Sequence, residues 1–194
     1  MSGGNGRRRV TIGAVASTAV MLGGGVLAGG LLAQPSKPKD NDAVRATLVN
    51  GAGKGIGKVE FEQKRGRGPM SVTVQARGLP PGFHGFHVHA TGKCEGPGFM
   101  SAGAHLNLLG ATHSAHTGDM PVLLVTRKGS ATARFTTDRF SLRHLRDGDR
   151  SAVIVHALPD NYANIPTDRY EPDPDAATLD TGDSGGRIAC AQVR

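Results

Sequence analysis

The sequence predicts an all-β fold: an eight-stranded Greek-key barrel or sandwich carrying two long functional loops. Three observations lead there. Eight short runs rich in β-branched residues recur along the chain, each bounded by glycine, proline or charged clusters. Within "SVTVQA", Val72 and Val74 fall on one face and Ser71, Thr73 and Gln75 on the other, a period of two. No long stretch repeats at 3.6 residues, and 29 glycines and 11 prolines supply turns rather than helices.

In order, the runs are "RATLVN", "GKVEFEQ", "MSVTVQARGL", "HGFHVHA", "PVLLVTR", "SATARFTT", "SAVIVHAL" and "RIACAQV". "SLRHLRDGDR" reads as a short helical turn. Two connections are too long for hairpins, 90–119 and 157–186. Ordered loops of that length carry function more often than they merely join strands.

The chain of 194 residues suits one domain plus an extension. Residues 1–33 hold Arg7, Arg8 and Arg9 and then an uncharged run over 10–33. A basic flank followed by an apolar run is the layout of an export signal, and its length would also serve an uncleaved membrane anchor. Residues 34–43, "QPSKPKDNDA", read as a linker, which leaves 44–194 as the folded domain. The expected destination is therefore outside the cytoplasm: the cell envelope or the extracellular space, with membrane contact only through 1–33.

Net charge is +7, but 34–194 carry 20 basic and 16 acidic side chains, or +4. No basic block with interleaved aromatics occurs there, so nucleic acid is not an expected partner. Cys94 and Cys190 are the only cysteines, and in an exported protein they are expected to pair. So long a closed loop would contribute about 4–5 kcal/mol by chain entropy.

All eight histidines fall between 84 and 156. On a strand, His87 and His89 point to one side and His84 to the other. Two imidazoles on one face chelate a metal, and further ligands must come from elsewhere in the fold. His105, His113, His116, Asp119 and His156 are the candidates. A set of imidazoles with one carboxylate suits copper, zinc, iron or nickel, not calcium or magnesium. His144, in "LRHLRD", sits among charges and is read as a surface residue.

Four segments, "GFHGFHVH", "SAGAH", "VIVHALPDN" and "TGDSGGRIAC", resemble the copper/zinc superoxide dismutases, in family order and of the exported, actinobacterial-like bacterial kind. The resemblance covers 44–194. It implies copper held by His87, His89, His105 and His156, and zinc by His105, His113, His116 and Asp119, with His105 bridging the two. It implies that Cys94 and Cys190 form the family disulfide. His84 would brace the fold, Asp160 would link a copper histidine to a zinc histidine, and Arg187 would attract superoxide. One departure is visible: His113 and His116 are three residues apart, where the family has a longer excursion.

The implied reaction is dismutation of the superoxide anion to dioxygen and hydrogen peroxide. Its physiological role would be protection against extracytoplasmic superoxide. Two rivals stand beside it. One is a zinc lyase or hydrolase built on a His-x-His pair. The other is a non-catalytic copper-binding or copper-delivery module on the same fold. The second long loop carries Asp160, Asp168, Glu171, Asp173, Asp175, Asp180 and Asp183. Attraction of an anion then requires that those acids face solvent while Arg187 acts locally. Monomer and dimer both remain open.

Overall fold

The computed structural model describes residues 43–64 and 68–194. The expected leader at 1–33 and nearly all of the linker lie outside the described residues. Among the described residues there are nine strands: β1 (Ala43–Asn50), β2 (Gly55–Glu62), β3 (Met70–Arg77), β4 (Gly82–His84), β5 (Phe86–His89), β6 (Leu123–Val125), β7 (Ser130–Thr137), β8 (Ala152–His156) and β9 (Arg187–Gln192). Two short helices join them, α1 (Leu142–Leu145) and α2 (Ala176–Thr181). No helix of the described residues is long and apolar enough to cross a membrane.

Seven strands form one curled antiparallel sheet in the order β5-β8-β9-β1-β2-β3-β7, and β4 pairs with β6 in a second. Alternation places the core. Val44, Ala46 and Leu48 of β1, Val59 and Phe61 of β2, and Met70, Val72, Val74 and Ala76 of β3 are buried together. Their strand neighbours are polar and lie on the outer face.

The count of nine rather than eight has a local cause. The run "HGFHVHA" breaks at Gly85, where the chain leaves one sheet and joins the other. A Cβ there would meet Ser184 Cβ at 2.6 Å and His87 Cε1 at 3.1 Å, so only glycine lets the strand pass so close to the second loop. The Gly85 N–H donates to the Leu158 carbonyl and its own carbonyl accepts from His156, each at 2.8 Å.

β5 and β8 are buried on both faces. Phe86, Val88, Val153 and Val155 point into the main core. On the far side Ala152 and Ile154 of β8 pack under Phe99, Ala102 and Cys190. The first long loop therefore folds back over the sheet. Cys94 and Cys190 are joined, with Cα atoms 5.7 Å apart, which ties that loop to β9.

Candidate metal centre

The site begins at the free edge of β5. Loop residues cover that edge from both ends: Leu106 N–H donates to Val88 O, and Val88 N–H donates to Gly118 O, each at 2.8 Å. These contacts bring His105 beside His89 and Asp119 beside His87 as isolated β-bridges. Gly118 is required here, because a Cβ would overlap the Val88 carbonyl. Backbone pairing thus delivers two candidate ligands from a loop to a strand that already carries two.

His87, His89, His105 and His156 present ring nitrogens within 4.8 Å of one another, and all four are buried. Their far nitrogens fix the tautomers. His87 Nε2 donates to Asp160 Oδ2 at 2.7 Å. His89 Nδ1 donates to Gly103 O at 2.9 Å, and His156 Nδ1 to Gly185 O at 3.1 Å. The opposite nitrogen of each ring is then a bare lone pair. His89 Nε2 and His156 Nε2 face each other at 3.3 Å. His87 Nδ1 and His105 Nε2 are buried without a hydrogen-bond partner. Converging lone pairs repel one another unless a cation accepts them, so this set fits a nitrogen-binding metal.

Burial keeps His87, His89 and His156 neutral, as ligation needs. It holds His89 well below the ordinary histidine range, helped by the charge of His105. It takes His156 down to about 3, with His87, His105 and Arg187 adding to the shift. His87 is also lowered by burial, against the opposing effect of its hydrogen bond to Asp160.

A second buried set, His105, His113, His116 and Asp119, converges in the same way. His105 Nδ1 lies 3.2 Å from Asp119 Oδ1 and 3.4 Å from His116 Nδ1. His113 Nδ1 is 3.2 Å from Asp119 Oδ2. His105 is the one ring shared by both sets, turning Nε2 to the first and Nδ1 to the second. The three-residue step does not prevent closure, for the His113 and His116 rings stand 5.4 Å apart. Three imidazoles and one carboxylate suit zinc. Burial opposes charge on His113, but hydrogen bonds to Asp119 and Asp160 outweigh it and raise the ring to about 9. Those histidines hold Asp119 and Asp160 well below the usual carboxylate range, despite their burial.

His87, His113 and Asp160 form a third cluster, which is a hydrogen-bonded link. Asp160 accepts from His87 Nε2 at 2.7 Å and from His113 Nε2 at 2.8 Å. One carboxylate therefore orients a ring of each set.

A comparison of the chain with known families and proteins matches residues 56–193 to the family model described as copper/zinc superoxide dismutase (SODC). The chain belongs to the copper/zinc superoxide dismutase family. It is 40% identical over 154 residues to "Superoxide dismutase [Cu-Zn]" of Mycolicibacterium paratuberculosis, spanning 71% of this chain and 68% of that one. The protein of the same description from Mycobacterium tuberculosis is 37% identical over 180 residues, 84% of this chain and 75% of that one. Among solved structures, a SOD-like protein from Bacillus subtilis superposes with a TM-score of 0.62 at 30% identity, covering 77% and 97% of the two chains. The family uses copper and zinc, and the two buried sets fit that pair.

Arg187 opens β9 at the wall of a cleft of about 960 Å³ whose lining also includes the largely buried His105, His116 and His156. Its Nη1 donates to Phe99 O at 2.8 Å and its Nη2 to Gly103 O at 2.7 Å. Gly103 O thus serves both Arg187 and His89. His84 stands apart from both sets: its nitrogens lie 2.8 Å from His156 O and 2.9 Å from Pro80 O, bracing β4 against β8. His144 accepts from the Ser141 N–H at 3.2 Å and caps α1.

The acids of the second loop divide. Asp160 is buried, Asp175 caps α2, and Asp183 binds Asn161 and Thr178. The expectation that these acids face solvent needs correction at buried Asp160, while exposed Asp180 faces solvent but lines the cleft with Arg187. α2 carries it there, and α2 was missed in the sequence although Asp175 and Gly182 mark its ends. The carbonyls of Gly103 and Gly185 were also missed. Backbone acceptors have no residue type to betray them.

Proposed function

We propose that this chain is a superoxide dismutase whose copper is held by His87, His89, His105 and His156 and whose zinc is held by His105, His113, His116 and Asp119. The observation that carries the assignment is the sharing of His105, one ring that presents a nitrogen to each set. When bound, copper supplies one-electron cycling that oxidises one superoxide to dioxygen and reduces a second, with two protons, to hydrogen peroxide, while zinc supplies fixed charge.

The protein's own groups do the rest. The Arg187 guanidinium attracts and orients the anion at the cleft mouth, and its two carbonyl anchors stop it from swinging away. His105 Nε2 takes up a proton in one half of the cycle and releases it in the other. Its Nδ1 stays with the second set throughout, so the ring does not drift. His89 and His156 stay neutral through their carbonyl partners, and Asp160 holds His87 in the ligating tautomer. The disulfide fixes the loop that carries Gly103.

Export to the envelope or beyond fits the disulfide and the leader-like sequence at 1–33. A copper-binding module without activity would need the same imidazoles but no cation at the cleft, and Arg187 favours the enzyme. The test compares the copper- and zinc-loaded full chain with Arg187→Gln at low and high salt. Wild type should dismutate superoxide at a rate that salt lowers, and Arg187→Gln should be slower and less sensitive to salt. A copper-loaded wild type inert toward superoxide would support the binding module. Turnover that rises strongly with salt would show that the acids around the cleft outweigh Arg187.

A further inference from the structure

We infer that Arg139 is the positioning residue of the zinc-type site, holding His116 through its backbone where no acceptor holds its ring. This rests on the metal assignment above. Among the histidines of the two sets, His116 is exceptional. The far nitrogens of His87 and His113 bond to Asp160, and those of His89 and His156 bond to backbone carbonyls. His105 uses both nitrogens between the sets. His116 turns Nδ1 to His105 and Asp119, but its Nε2 meets no acceptor and the ring lies at the cleft. Among the described residues outside the site, Asp180 acts on this ring only through its charge, and no hydrogen bond sets the ring's orientation from that side.

Support arrives instead at the main chain. Arg139 Nη1 carries two N–H groups and donates one to Ser114 O at 2.8 Å and one to His116 O at 3.0 Å. These carbonyls bracket the three-residue step between His113 and His116. The arm comes from rigid ground. Arg139 follows β7, its N–H donates to Thr137 Oγ1 at 3.2 Å, and the next residue, Phe140, is buried edge-on against Phe61. From the other side the His116 N–H donates to Asp119 Oδ2 at 3.0 Å. The short loop is thus clamped between a zinc-site carboxylate and a guanidinium anchored in the barrel. Arg139 is itself exposed, but it spans two carbonyls of one ligand loop, and the bond to His116 O is partly buried.

The test uses the full chain, stripped of metal. Zinc affinity is read by competition with a chromophoric chelator, and the geometry at His116 by the visible band of cobalt(II) placed in the same set. Arg139→Met should weaken zinc about 10- to 100-fold, as loss of outer support to a ligand does, and should shift the cobalt band. Arg139→Gln, too short to reach both carbonyls, should do the same and serves if the first variant does not fold. Thermal unfolding of the metal-free variants should match metal-free wild type. Zinc binding within twofold of wild type and an unmoved cobalt band would overturn the inference. So would metal-free variants destabilised as much as their zinc affinity falls, since that is a general structural role. A wild type that takes up no zinc at all overturns the metal assignment itself.

Discussion

Gly182 closes α2 with φ +60°, and a Cβ there would overlap Asp160 Oδ1 and stand 2.5 Å from His113 Nε2. Gly182→Ala should therefore cost at least about 1 kcal/mol from backbone conformation alone. It should also loosen zinc, because Asp160 must yield its link to both rings. Denaturant unfolding of the metal-free protein and zinc retention of the loaded one check the two effects separately. The proposed ligands were legible in the sequence because imidazole and carboxylate announce their chemistry and because all eight histidines fall between 84 and 156. Arg187 and Asp160 were readable through their place in family segments. Tyr162 was not: its N–H donates to Asp160 Oδ1 at 2.7 Å and its hydroxyl accepts from Val122 at 3.0 Å, contacts that spacing does not encode.

At the scale of elements, the strands were legible wherever one face is buried and the other wet, as in β3. The double-sided β5 was legible only through its histidines, since its polar side chains lie buried beneath a loop whose path the sequence does not state. The split at Gly85 was hidden because it follows from the approach of Ser184, 99 positions away in numbering. The disulfide spans a sequence separation of 96, so replacing Cys94 and Cys190 by serine should remove up to about 4–5 kcal/mol of stability. The same change frees the loop that offers Gly103 O to Arg187, and kcat/KM should fall together with the unfolding midpoint. Full catalytic rate in a variant with a lowered midpoint would separate the bond from the positioning of Arg187.

For the molecule as a whole, the metal-free state should be acid-sensitive. Burial lowers His87, His89, His116 and His156, so the unfolded chain binds more protons than the folded one once pH drops below 6.5. Their contribution is complete above 6.5 and is lost as pH falls, toward about 3 for His156. His113 acts in the opposite sense, stabilising fully below 6.5 and losing that contribution as pH rises through about 9. His144 is lowered by burial as well, so the lowered rings outnumber the one raised, and the denaturant midpoint of metal-free protein should drop between pH 6.5 and 4. A flat midpoint across that interval would mean the rings are not buried neutral.

Imidazoles from β5, the first long loop and the end of β8 converge on one buried site through a ring shared with a second, and we propose copper for the first and zinc for the second. Metal content per chain and superoxide dismutation, measured on the same loaded sample of wild type and of His105→Ala, test it most directly. Wild type should hold one copper and one zinc and release hydrogen peroxide and dioxygen, while His105→Ala should lose zinc and most of the activity. Undiminished zinc and turnover in His105→Ala would rule out a shared imidazole between the two metals.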